Sequence, residues 1–206
     1  KPDYVNDHIW EVELGNADEG KPVKDGSVEA WLQRWHELAD ALPADPRVRL
    51  GAALHSVRAV APDELHHAIA GLPADVPVHV HVSEQPAENR ACQEATGLTP
   101  TTVLERAGVL SARTTVVHAT HLSDEDLAMI ARTGTTVSLC PTTEADLADG
   151  IPRTADLVAA GVPLAIGSDE NVVTDPFAEL RMIESGVRLS SGRRGVVSNE
   201  RLWGSG

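Results

Sequence analysis

Short apolar segments that alternate with helical patterns constrain this chain more than any other feature of its sequence. Each strand candidate is rich in valine, leucine or alanine and is followed by a helix or a helical turn. A chain that alternates in this way forms a parallel sheet, because each right-handed crossover returns the next strand to the same direction. The five predicted strands are residues 47–54, 76–83, 114–120, 135–140 and 162–168.

The helices around these strands carry start and stop signals. Ser27 can cap the N-terminus of a helix that contains Trp31 on its apolar side. Ser123 and Asp126 have the spacing of a capping box, and Gly134 is placed to end the helix that they begin. These signals predict helices that cover the faces of the sheet.

A doubly wound sheet and part of a (β/α)8 barrel are both compatible with this alternation, and the polar residues separate them. They lie at the predicted C-terminal ends of several strands, where barrel enzymes assemble their active sites. A doubly wound sheet concentrates its site at one crevice, and no glycine-rich phosphate loop follows any strand. The sequence therefore predicts an α/β fold that is part of a TIM-like (β/α)8 barrel. The polar residues are His55, Arg58, His81, Glu84, His118, residues 142–144 and Asp169.

The segment VPVHVHVSEQ raises the question of metal binding. His79 and His81 are two apart in a strand, so both imidazoles face one side of the sheet while the valines face the other. A two-histidine metal clamp, a single ligand with a buried companion and a strand that merely contains histidines all fit this pattern. Imidazole nitrogen and carboxylate oxygen are typical zinc ligands, and catalytic zinc keeps one position open for water. Four strand ends supply such donors, which are His55, His81, His118 and Asp169.

Five segments together resemble the amidohydrolase superfamily: HSVRAV, HVHVSEQ, VVHATHLSDEDL, SLCPTTEADLADG and AIGSDENV. The last four are similar, in their order, to the ends of strands five to eight of that superfamily's barrel. Together with HSVRAV they resemble the formimidoylglutamate deiminase family. The resemblance covers about residues 25–195 and implies that strands four to eight of a metal-dependent barrel are present. Residues 1–24 and 196–206 are left as an unassigned N-terminal segment and an unassigned tail.

The resemblance also implies roles for the polar residues that follow the strands. His81 and Asp169 would bind one divalent metal ion, zinc, and Asp169 would also take a proton from the attacking water. Glu84 would carry protons to the departing ammonia. His118 would hydrogen-bond the hydroxide or the tetrahedral centre.

His55 and Arg58 match the family's substrate-binding pair, in which a guanidinium suits a glutamate carboxylate through paired hydrogen bonds. A salt bridge at the entry of a helix is the structural alternative for Arg58. By the same resemblance, His79 is a buried, hydrogen-bonded companion of His81 and binds no metal. Glu144 is expected to order loops beside the pocket.

The reaction implied is the metal-dependent hydrolysis of N-formimidoyl-L-glutamate to N-formyl-L-glutamate and ammonia, and two alternatives stay open. A deaminase of a purine or adenosylhomocysteine ring would need a stacking surface, whereas the chain has only one Phe, one Tyr and four Trp. A barrel remnant that binds a ligand without catalysis is the other. It is suggested by the missing His-x-His of the first barrel strand, which supplies two metal ligands in the superfamily.

The composition restricts the partners. A net charge of −14 argues against nucleic acid and an anionic membrane surface, and no apolar run approaches the about 20 residues that span a bilayer. A small-molecule substrate, a homodimer and a cytoplasmic location are expected, with Cys92 and Cys140 reduced. Because five βα units cannot close an eight-stranded barrel, we expect the sequence to be part of a longer chain.

Overall fold

A computed structural model describes residues 3–6, 9–13, 27–43, 45, 47–198, 200–201 and 204. The strands are β1 (Asp3–Asn6), β2 (Ile9–Glu13), β3 (Arg49–Ala53), β4 (Val78–Val82), β5 (Thr114–His118), β6 (Thr136–Leu139) and β7 (Leu164–Ile166). The helices are α1 (Val28–Ala41), α2 (Pro62–Gly71), α3 (Pro86–Thr96), α4 (Pro100–Arg106), α5 (Asp124–Thr133), α6 (Pro141–Asp146), α7 (Thr154–Ala159) and α8 (Pro176–Ser191).

The strands form one sheet whose order follows the chain from β1 to β7. β1 is antiparallel to β2, and each later pair of neighbours is parallel. A doubly wound sheet reverses its strand order at a switch point, whereas a barrel adds each strand beside the previous one. The sequential order confirms the predicted α/β fold with part of a TIM-like barrel.

The five predicted strands correspond to β3 to β7, and each is shorter than the apolar segment that predicts it. The structure also contains two strands, β1 and β2, within the segment 1–24 that the sequence pattern leaves unassigned. β2 continues the parallel sheet beyond β3. Its five residues IWEVE are too short and too acidic to form an apolar pattern that would predict a strand.

The predicted helix signals act as expected. The Ser27 hydroxyl accepts a hydrogen bond from the Ala30 amide at 3.2 Å, which caps α1. Ser123 and Asp126 form the capping box of α5, with each side chain accepting the other's backbone N–H at 3.0–3.1 Å. Gly134 ends α5 in a left-handed conformation with φ of 70°. Local sequence therefore determines where these helices begin and end.

The two faces of the sheet differ because side chains alternate along each strand. In β4, Val78, Val80 and Val82 are buried, while His79 and His81 on the opposite face are only partly buried. The valine face packs into the apolar core formed with the helices. The opposite face carries the histidines. The alternation along the strand therefore places the packing residues on one face and the candidate site residues on the other.

Two further expectations concern the cysteines and the membrane. Cys92 and Cys140 are free thiols, and both are buried. Within the part of the chain that the structure describes, no helix combines the length and the apolarity needed to cross a membrane.

Leu104 of α4 provides a test of this core, because its side chain is fully buried. We expect Leu104→Ala to lower the free energy of unfolding by about 2–5 kcal/mol, since the substitution removes buried methyl groups and leaves a cavity. Leu189→Ala is the matched control, because Leu189 is 81% exposed, and it should change stability by less than about 0.5 kcal/mol. Urea denaturation of both variants measures the difference, and equal midpoints would contradict the assignment of α4 to the core.

Candidate active site

The imidazole of His81 is oriented by the strand that precedes it in the sheet. The carbonyl oxygen of His55, just after β3, accepts a hydrogen bond from the His81 amide at 2.8 Å and another from His81 Nδ1 at 2.8 Å. A carbonyl oxygen only accepts, so Nδ1 carries the proton and Nε2 has a free lone pair. This is the tautomer that a metal ligand needs, held by a hydrogen bond on the far side of the ring.

Several non-glycine residues at or after the ends of these strands adopt a left-handed backbone, which costs about 1–3 kcal/mol each, and three of them, Ser83, His118 and Asp169, belong to the site or precede a member of it. Their φ angles are 50° at Ser83, 69° at His118 and 40° at Asp169. Val82 pairs with His118 in the β4–β5 register, so regular alternation would direct His118 to the valine face. The left-handed backbone redirects the ring of His118 towards His81.

His118 is the centre of the site. Its ring stacks on that of His81, with centroids 5.6 Å apart and planes inclined by 24°. His118 Nδ1 lies 3.4 Å from Glu144 Oε1 and donates to it. His118 Nε2 lies 3.5 Å from Asp169 Oδ2 and 3.8 Å from Glu84 Oε1. This nitrogen is buried, and no hydrogen-bond partner for it occurs among the described residues.

The two stacked imidazoles have opposite electrostatic environments. Burial lowers the pKa of His81, and the nearby His118 lowers it further, so His81 is neutral. Burial also disfavours a charge on His118, but the hydrogen bond to Glu144 and the carboxylates of Glu84 and Asp169 outweigh it and raise the pKa of His118. A neutral imidazole and a more basic one therefore lie side by side, which suits one for binding a cation and the other for donating a proton.

Glu84 and Arg58 form an ion pair at this site. Arg58 donates from a terminal guanidinium nitrogen to Glu84 Oε2 at 2.7 Å. The Arg58 side chain is 30% exposed and that of Glu84 is 10% exposed. The structure thus records an ion pair for Arg58, but its partner is the predicted proton carrier and not a helix-entry residue. This contact places the guanidinium beside the carboxylate of Glu84, which lies near His118.

His55 lies at the edge of the same cluster. Its ring centroid is 5.4 Å from that of His81, and its Nδ1 is 2.9 Å from the Ser56 hydroxyl. Burial lowers the pKa of His55 from 6.5 to about 4, and the neighbouring His81 and Arg58 act in the same direction. His55 is therefore neutral near pH 7. The six predicted site residues are brought together: His55, Arg58, His81, Glu84, His118 and Asp169.

Two further residues near the site, His79 and Glu144, were expected to have supporting roles. His79 is partly buried and lies on the same face of β4 as His81, two residues earlier. Glu144 accepts from the Cys140 amide at 2.9 Å as well as from His118. Glu144 therefore holds the end of β6 against the end of β5, in agreement with the expectation that it orders loops.

Cys140 is a member of the site that its position in the sequence does not reveal. Among the described residues, the metal-type donors that lie within 4.8 Å of one another are those of His118, Cys140 and Asp169. His81 is not in this group, although it was the predicted ligand. Burial, with the nearby carboxylates of Glu144 and Asp169, strongly raises the pKa of the Cys140 thiol. Without a metal ion the thiol of Cys140 is therefore protonated, and it lies beside the predicted nitrogen and carboxylate donors.

Asp149 is a second residue that the sequence pattern does not single out. Its Oδ1 accepts from Gln85 Nε2 at 2.9 Å, and its carbonyl oxygen accepts from His121 Nε2 at 2.7 Å. Burial raises the pKa of Asp149. The loops that follow β4, β5 and β6 are joined through these contacts, and no spacing in the sequence indicates that they meet.

The sequence pattern of the amidohydrolase family matches residues 11–201. The chain is 37% identical over 181 residues to formimidoylglutamate deiminase of Pseudomonas aeruginosa. The aligned residues cover 85% of this chain and 40% of that protein. It is 30% identical over 142 residues to 5-methylthioadenosine/S-adenosylhomocysteine deaminase of Nitratidesulfovibrio vulgaris, covering 68% of this chain and 32% of that protein. The chain belongs to the amidohydrolase family.

Solved structures agree with this assignment. An amidohydrolase from Brucella melitensis superposes with a TM-score of 0.84 at 33% identity, covering 94% of this chain and 46% of that one. An adenosine deaminase from Xanthomonas campestris with bound zinc gives a TM-score of 0.82 at 24% identity, covering 94% and 44%. This second likeness shows the fold alone. The chain spans less than half the length of each of these relatives.

The lowered pKa of His55 predicts a pH dependence of stability. Because the unfolded chain protonates this histidine near pH 6.5 and the folded one only near pH 4, folding loses stability as the pH falls through that interval. The loss should be well under about 3 kcal/mol, since the group is partly exposed. Urea midpoints of the metal-free protein at pH 7.5 and pH 5 should fall less for His55→Gln than for the wild type. An identical fall in both proteins would contradict the burial of His55.

Proposed function

We propose that this protein hydrolyses a C–N bond of a small-molecule amidine and releases ammonia in a metal-dependent reaction. The observation that carries the proposal is the convergence of the carboxylates of Asp169 and Glu84 on the buried Nε2 of His118. Two carboxylates and an imidazole around one point can take a proton from water and return it to a leaving nitrogen. Membership of the amidohydrolase family supports the same class of reaction.

A divalent ion, for which zinc is the proposed identity, suits the donors at this point. His81 is neutral and has its Nε2 lone pair free, and Asp169 supplies a carboxylate. His118 Nε2 is a buried nitrogen with no hydrogen-bond partner among the described residues, 3.5 Å from Asp169. We propose His81 and Asp169 as ligands, with His118 beside them. When bound, such an ion supplies a Lewis acid that acidifies water and polarises the amidine.

Different residues of this chain then accept and donate the protons of the reaction. Asp169 accepts a proton from the attacking water, because its carboxylate faces the centre of the cluster. His118, whose raised pKa favours the protonated ring, donates a hydrogen bond to the developing oxyanion. The carboxylate of Glu84, paired with Arg58, takes up the second proton of that water from the hydroxyl of the tetrahedral centre and delivers it to the leaving nitrogen. With the first proton passed on from Asp169, the nitrogen departs as ammonia. One water is consumed for each ammonia released.

N-formimidoyl-L-glutamate is the proposed substrate, with N-formyl-L-glutamate as the product. The Arg58 guanidinium is next to Glu84 and partly exposed, so a substrate whose amidine reaches Glu84 could place a carboxylate against Arg58. His55 is the other proposed substrate contact. The 37% identity with formimidoylglutamate deiminase of Pseudomonas aeruginosa supports this choice.

A purine-type ring is the second candidate, favoured by the 30% identity with 5-methylthioadenosine/S-adenosylhomocysteine deaminase. Such a ring requires an apolar stacking surface. The ring contacts recorded at this site join imidazoles to one another, at His55, His81 and His118. The guanidinium beside these imidazoles suits an anionic chain better than a nucleoside, so the amidine ranks first.

Ammonia release tests the reaction directly. We expect the full protein with zinc to release ammonia from N-formimidoyl-L-glutamate and to lose this activity after treatment with a chelator. Glu84→Gln should lower kcat by about 100-fold or more, because the proton for the leaving nitrogen is lost. Release of ammonia from S-adenosylhomocysteine with formimidoylglutamate inert would reverse the ranking of substrates. No ammonia from either compound would favour a barrel that only binds a ligand.

The role of Arg58 is tested with a pair of substrates. We expect Arg58→Ala to lower kcat/KM for formimidoylglutamate about tenfold more than for a formamidine without carboxylates, because a charged hydrogen-bond partner is lost only with the first. Arg47→Ala is the matched control, since Arg47 pairs with Asp45 at an exposed position. An equal loss with both substrates would remove Arg58 from carboxylate recognition.

A further inference from the structure

The turn that aims Glu84 is held in an unusual way. Ser83 precedes it in a left-handed conformation with φ of 50° and is fully buried. Side chains alternate along β4, so without this turn Glu84 would continue on the valine face. The left-handed residue reverses that direction and brings Glu84 Oε1 to 3.8 Å from His118 Nε2. Something must keep a non-glycine residue in this conformation.

Glu88 supplies the contact that can do so. It lies in the first turn of α3 and is only 3% exposed. Glu88 Oε2 accepts a hydrogen bond from the Glu84 amide at 2.9 Å. The N-cap of α3, Gln85, makes no side-chain cap. In an ordinary capping box the third helical residue accepts from the N-cap amide, whereas here the carboxylate reaches one residue further back.

We propose that Glu88 is a positioning residue, whose carboxylate holds the Glu84 amide and with it the left-handed turn that aims the Glu84 side chain at His118. The inference rests on the proposed function, in which Glu84 carries the proton to the leaving nitrogen. Glu88 itself touches neither His118 nor the substrate in this scheme. Its effect on catalysis is indirect and passes through the backbone of Glu84.

A gain in stability does not explain why the carboxylate of Glu88 is buried. A buried carboxylate is unfavourable unless hydrogen-bonded, and one oxygen of Glu88 has no hydrogen-bond partner within the described part of the chain. Glu144 makes the same kind of contact four residues after Cys140, at 2.9 Å. Both carboxylates therefore fasten the backbone at a strand end whose neighbours form the site.

Glu179 of α8 offers a matched comparison. It is 2% exposed, and its carboxylate accepts from the Thr142 amide at 3.1 Å and from the Thr142 hydroxyl. Burial and the type of contact are alike, but the amide that it holds does not belong to a residue proposed to move a proton. Loss of either acceptor should destabilise the fold, and loss of Glu88 alone should change the chemistry.

The experiment uses Glu88→Met, Glu88→Gln and Glu179→Met in the full protein with zinc. Met removes the acceptor with little change of shape, whereas Gln keeps a carbonyl oxygen. We expect Glu88→Met to lower kcat for ammonia release by about 10- to 100-fold with KM little changed, as expected for a misplaced catalytic group. Glu88→Gln should retain most of the activity, and Glu179→Met should lose stability but not kcat.

Crystal structures of the variants provide a readout that does not depend on the substrate. In Glu88→Met, Glu84 Oε1 should move away from its position 3.8 Å from His118 Nε2, and in Glu179→Met it should stay. Glu88→Asp, one methylene shorter, serves the same purpose if Glu88→Met does not fold. Equal losses of kcat in the two Met variants, or an unmoved Glu84, would overturn the proposal. If the wild type releases no ammonia, the proposed function fails, and the crystallographic distance still decides the role of Glu88.

Discussion

The carbonyl oxygen of His55 accepts two hydrogen bonds from His81, one from its amide and one from its ring, and the geometry of the site depends on them. The first fixes the register between β3 and β4. The second fixes the rotation and the tautomer of the imidazole that His118 then stacks upon. Rotation of the His81 ring would break the second bond and leave Nδ1 without this acceptor, so the same carbonyl oxygen orients both the backbone and the ring of His81.

Strain at the ends of the strands is the second organising feature. Ser83, His118 and Asp169 are all left-handed and all belong to the site or immediately precede a member of it. Regular strands would direct these side chains by alternation alone, and for His118 this direction is the valine face that packs into the core. The left-handed backbone changes the direction of these side chains. The packed sheet and the carboxylates of the following helices stabilise this strained backbone. Stability elsewhere in the fold thus supports precise placement here.

The balance of charge around His118 determines which charged groups the site favours. Three carboxylates, of Glu84, Glu144 and Asp169, surround the buried imidazole of His118, and Arg58 neutralises one of them. This excess of negative charge around a buried imidazole favours a bound cation and a protonated His118. The guanidinium of Arg58 lies at the edge of this arrangement, where it favours an anionic group. Electrostatics and family membership support the same class of chemistry.

The strand and helix alternation is predictable from local patterns, and so are the caps at Ser27 and Ser123, the valine face of β4 and the polar strand ends. These features depend on periodicities and contacts within a few residues. The sequence also sufficed for the family, through five motifs in order. Three contacts become visible only in the folded chain: Arg58 pairs with Glu84, Cys140 lies beside Asp169, and Glu88 accepts a hydrogen bond from the Glu84 amide. The first two contacts join loops that are distant in sequence, and the third depends on a left-handed turn that a serine does not predict. Such contacts arise from the order of strands in the sheet and from backbone strain that packing sustains, and neither leaves a local pattern in the sequence.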